Sequence, residues 1–80
     1  MTSTVRSRLN ALAHNLWWCW NPDAIALFRA IDSARWSELH HNPVHVLAEV
    51  SDDMLMARCN LGHLARVEEQ FAAYLAQKNT

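Results

Sequence analysis

At 80 residues with a formal net charge of −1, the chain is one small domain whose surface burial on folding is modest. A content of 51% hydrophobic and 19% charged residues excludes disorder, and one Gly and two Pro beside many Ala and Leu favour helix over strand. The basic residues Arg6, Arg8, Arg29, Arg35, Arg58, Arg66 and Lys78 are scattered, which argues against nucleic acid, and no apolar run reaches membrane-spanning length.

In chain order, Ser3 or Thr4 is placed to cap a first helix read over residues 5–20. At roughly 100° per residue, Val5, Leu9, Leu12, Leu16 and Trp20 fall on one core stripe, with Trp17 flanking it beside Ala13. Trp18 then lies on the opposite face, together with Ser7, Ala11, His14 and Asn15. Asn21-Pro22-Asp23 ends that helix and starts a second over 22–31, with Asn as cap, Pro at the first position and Asp at the positive end of the dipole. Its apolar face is Ile25, Phe28 and Ile31. Asp32 caps a short piece through about Leu39 that carries Trp36. Asn42-Pro43 repeats the start device for a helix of about 43–50, presenting Val44, Leu47 and Val50. Ser51-Asp52-Asp53 opens another, with Leu55 inside and Cys59 near its end, and Asn60 and Gly62 break it. The last helix, about 63–78, gathers Leu64, Val67, Phe71, Tyr74 and Leu75 on one face. The expected fold is an all-α bundle in which two longer helices enclose several short ones.

The candidate site is the aromatic face of the first helix: Trp17, Trp18, His14, Asn15 and Ala11. Small residues beside a large aromatic suit docking onto a partner. Two alternatives stay open on the same residues. Trp17 and Trp18 are covered by the short helices, with Trp20 and Trp36 in the core. Or the rings stack on sugars, with Asn and His meeting the hydroxyls. A homodimer that pairs two Trp18 faces is a variant of the docking reading. His41 and His45 stand four apart, as do Cys59 and His63, but Asn42-Pro43 and Asn60-Gly62 interrupt both pairs, so no metal site is expected. Asp32, Asp52 and Asp53 read as caps or first-turn acids, and Glu38 has no evident partner. Cys19 and Cys59 read as reduced, buried thiols. No catalytic residue and no cofactor site is assigned.

The stretch Leu12-Ala13-His14-Asn15-Leu16-Trp17-Trp18-Cys19-Trp20-Asn21-Pro22-Asp23-Ala24 resembles the leading segment of a branch of bacterial and archaeal α-glucan (glycogen) phosphorylases. The likeness continues through Leu27-Phe28-Arg29, Ile31-Asp32, Trp36, His41-Asn42-Pro43-Val44, Leu47 and Val50-Ser51, and ends at Phe71, Tyr74 and Leu75. Nearly the whole chain, residues 1–80, is covered as one helical domain. The family more usually has Ser where Cys19 stands, and the segment between Leu55 and Leu64 looks shortened. The resemblance implies a helical domain of unknown function placed before a catalytic body. The sole Lys is Lys78 and the sole Gly is Gly62, so nothing matches a pyridoxal-phosphate lysine or a Gly-rich phosphate loop. The expectation is a cytoplasmic, non-catalytic module. Its partner would be a phosphorylase-type catalytic body or a second subunit, and the competing ligand is an α-glucan.

Overall fold

The computed structural model describes residues 4–78. Its elements are α1 (Thr4–Ala13), a 3-10 turn (Leu16–Trp20), α2 (Pro22–Ile31), α3 (Trp36–His41), α4 (Pro43–Glu49), α5 (Asp52–Arg58) and α6 (Leu61–Lys78). The fold is all-α, as the composition requires, and no helix is long and apolar enough to cross a membrane among the described residues. Among the described residues only α6, at 18 residues, is long. The expected first helix of 5–20 is cut at Ala13, so α1 and α2 have 10 residues each and the bundle has one long helix rather than two.

Most boundaries follow the capping residues. Asn21 accepts from the Ala24 amide at 3.0 Å through its side-chain oxygen and Pro22 takes the first position of α2. The Ser51 hydroxyl accepts from the Met54 amide at the start of α5. Asn42 is different: Pro43 starts α4, but the Asn42 side chain makes no capping bond. The segment after α2 is a turn in which Asp32 Oδ1 accepts from the Arg35 amide at 3.2 Å, so α3 begins at Trp36 rather than at Asp32. Asn60, expected as a breaker, caps α6 by accepting from the His63 amide at 2.9 Å, and Gly62 sits inside its first turn. Ser3 lies outside the described residues; Thr4 opens α1.

The core is one cluster. Val5, Leu9 and Leu12 of α1 meet Leu27, Phe28 and Ile31 of α2, Leu39 of α3, Val46 and Leu47 of α4, Leu55 of α5, and Leu64 and Val67 of α6. α1 packs on α4, α5 and the 3-10 turn, while α2 packs on that turn, α5 and α6. Side chains close the joints between elements. Arg6 donates to the carbonyls of Leu47, at 2.6 Å, and Val50 at the end of α4, the Leu47 carbonyl also accepting from the Val50 amide. Arg58 donates to the Ile31 carbonyl at the end of α2, at 2.9 Å, and Arg8 pairs with Glu68 to hold α1 against α6.

Candidate functional site

The candidate site is decided by what happens between Ala13 and Trp20. His14 and Asn15 leave the α-helix, and Asn15 adopts an extended backbone with φ −111° and ψ 132°. Its side-chain oxygen accepts from the Trp17 amide at 2.8 Å. Asn offers the backbone this local alternative to helix continuation, and one extended residue resets the phase of everything after it. The following residues wind at three per turn, which eclipses side chains three apart. Trp17 and Trp20 therefore share one direction, Leu16 and Cys19 a second, and Trp18 alone takes the third.

The consequence reverses the expected faces. Trp18 is fully buried at 0% exposure, whereas Leu16 and Trp20, assigned to the core stripe, are 76% and 84% exposed. The Trp18 ring lies 4.6 Å from Phe28, 6.1 Å from Trp36 and 5.8 Å from His40. It is covered by the short helices, and it takes no part in an exposed face. Its Nε1 has no hydrogen-bond partner among the described residues. Ala11 is exposed on α1 but does not line the cleft described next.

Three of the expected site residues do come together. His14, Asn15 and Trp17, joined by Leu16, Trp20, Tyr74 and Lys78, line an open cleft of about 540 Å³ between the 3-10 turn and the end of α6. Trp17 is half-buried and forms its inner wall, with ring centroids 5.2 Å from Phe71 and 6.1 Å from Tyr74. Phe71 and Tyr74 stack at 6.3 Å. Leu16, Trp20, Tyr74 and Lys78 lie outside the expected set, because a continuous helix over 5–20 hides the first two and periodicity places Tyr74 on the core face of α6. The available signal was Asn15, the same residue type that caps α2 in the following Asn-Pro corner.

The remaining candidates resolve into structural roles. Glu38 does have a partner: Arg35 Nε donates to it at 2.7 Å, and Arg35 also pairs with Glu49. Those bonds raise the Arg35 pKa and hold the Glu49 carboxyl below its usual range, the hydrogen bond from Arg35 being the larger cause and its charge the next. His45 lies 3.2 Å from Glu49, and His40 packs on Trp18 and Trp36. Among the described residues no group of three His, Cys, Asp or Glu side chains gathers as a metal site. Cys19 and Cys59 are unpaired, and burial pushes both thiols up, away from the reactive thiolate.

The chain is 36% identical over 73 residues to a glycogen phosphorylase of Aquifex aeolicus, a match covering 89% of this chain and 10% of that protein. It is 33% identical over 73 residues to glycogen phosphorylases of Mycobacterium tuberculosis and Mycobacterium bovis, covering 86% of this chain and 8% of each of those proteins. The chain thus spans about a tenth of the length of the curated relatives it matches, and a segment of that size is not their catalytic body. No solved structure matches it. Residues 4–80 match the model of the family described as "Protein of unknown function (DUF3417)", and the chain belongs to that family.

Proposed function

We propose that residues 1–80 form a non-catalytic accessory module that docks onto a phosphorylase-type catalytic body in the cytoplasm, through the cleft between the 3-10 turn and α6. The observation that carries this reading is the exposure of Leu16 and Trp20, at 76% and 84%, side by side with a cleft already walled by Trp17 and Tyr74. A Trp carries about 150–250 Å² of surface, so covering it is worth roughly 4–6 kcal/mol before the costs of association. An anchor of that size beside an aromatic wall is the composition of an interface centre. The choice of partner is supported by the relatives, nine-tenths of whose length lies outside the matched segment. Lys78, at the end of α6, lies on the cleft itself, so polypeptide running on from α6 in such relatives starts at this face.

The test is a chimaera in which this chain replaces the matching segment of the Aquifex aeolicus glycogen phosphorylase, compared with the isolated chain by hydrogen exchange. Amides of residues 16–20 and 74–78 are expected to gain protection in the chimaera and to lose it on Trp20→Ser. Equal exchange in chimaera and isolated chain overturns the reading. An α-glucan ligand is the competing outcome: titration of the isolated chain with maltooligosaccharides would then quench tryptophan emission in the parent and not in Trp20→Ser. A dimer by light scattering that Trp20→Ser dissociates would assign the face to a second copy instead.

A further inference from the structure

The docking cleft carries a single formal charge: Lys78 lines it, and no Asp or Glu does. Most other cations of the chain are already engaged. Arg6, Arg8 and Arg35 pair with carboxylates, Arg58 donates to a helix-end carbonyl, and Arg29 lies 5.6 Å over the Trp36 ring. Lys78 and Arg66 make no ion pair among the described residues, and of these two only Lys78 lines the cleft. Its place in the last turn of α6 suits the negative end of the helix dipole, which favours a cation there, and its three ammonium donors have no partner among the described residues.

An ammonium that is covered by a partner must be given an acceptor, because desolvating an unpaired charge is costly. The apolar floor of Leu16, Trp17, Trp20 and Tyr74 asks for an apolar side chain at the same place. We propose that the segment seated in this cleft presents a large apolar side chain flanked by a carboxylate, and that the carboxylate pairs with Lys78. This rests on the docking reading and gives the partner's recognition element its chemistry: an apolar residue next to Asp or Glu on the catalytic body. The apolar contact supplies affinity. The ion pair fixes which surface of the body is accepted and in what register.

The chimaera tests this with three variants and a salt series. In the parent, protection of residues 16–20 is expected to fall as salt is raised through about 0.5 M, where screening acts within a few ångströms. Lys78→Glu places like charges together and is expected to reduce that protection about tenfold and to reverse its salt dependence, since salt then screens a repulsion. Lys78→Arg retains the parent's behaviour. If Lys78→Glu behaves as the parent while Trp20→Ser abolishes protection, the carboxylate is overturned and docking stands. If Trp20→Ser is also without effect, both fall. Lys78 is exposed at a helix end, so the circular dichroism of Lys78→Glu is expected to match the parent's.

Discussion

Asn21 Nδ2 donates to Gln70 Oε1 at 2.7 Å, tying the corner between the 3-10 turn and α2 to the middle of α6. The same Gln70 returns a bond from Nε2 to Asp23 Oδ2 at 2.8 Å, while Asn21 Oδ1 caps α2. The two side chains thus hold the 3-10 turn and α6, the two elements that line the cleft, against each other. Asn21→Ala removes a cap and a tertiary bond together and is expected to cost about 1–2 kcal/mol. Gln70→Ala spares the cap and is expected to cost about 1 kcal/mol. Urea unfolding of the two variants checks this; equal midpoints for parent and Asn21→Ala would refute it.

Trp18 and Trp20 make opposite predictions although they are two residues apart. Trp18→Ala opens a cavity among Phe28, Trp36 and His40 and is expected to cost about 3–5 kcal/mol, most of the stability of a domain this small. Trp18→Phe keeps part of the packing and removes a buried N–H without a partner, so its cost is expected to be smaller. Trp20→Ser is expected to lie within about 0.5 kcal/mol of the parent. In emission spectra, loss of Trp20 is expected to remove the red-shifted component. A destabilising Trp20→Ser would instead mean that this ring is packed.

Arg6 joins the first helix to the end of α4 through a fork, with Nη1 on the Leu47 carbonyl and Nη2 on the Val50 carbonyl, while Nε meets Asp52 at 2.8 Å. Arg6→Met keeps the stem and leaves two carbonyls without these donors, an expected loss of about 1–3 kcal/mol. Arg6→Lys is expected to recover little, since an ammonium cannot span both carbonyls in one plane. Thermal unfolding of the pair decides it, and full recovery by Lys would show that charge rather than geometry matters.

The pH dependence of the α3–α4 joint follows from Glu49. Arg35 holds its carboxyl below the ordinary range, first by a hydrogen bond and then by its charge. Stability from this pair is complete above the unfolded carboxylate pKa and is lost as pH falls through the lower, folded value. Followed by carboxyl-carbon NMR, Glu49 is expected to titrate below the ordinary carboxylate range, and to return to that range in Arg35→Ala. An unmoved midpoint in the variant would show that the pair is broken in solution.

Much of this protein was written in local chemistry. Composition alone specified helices, and Asn21-Pro22, Asn42-Pro43 and Ser51 announced α2, α4 and α5, because caps and Pro act within one turn of the chain. The apolar faces of α2 and α6 were legible in part: Phe28, Ile31, Leu64 and Val67 are buried, but Ala24 and Leu27 hold the core beside them where Ile25 was expected, and Leu75 is exposed. The assignment of faces around the tryptophans was not. A period projected through Asn15 put Leu16 and Trp20 in the core and Trp18 outside, and the fold has the reverse. Local sequence allowed two continuations at His14-Asn15, the α-helix or the capped 3-10 turn. The choice between them rests on burying Trp18 against Phe28, Trp36 and His40, residues 10 to 22 positions away whose arrival only the tertiary fold provides.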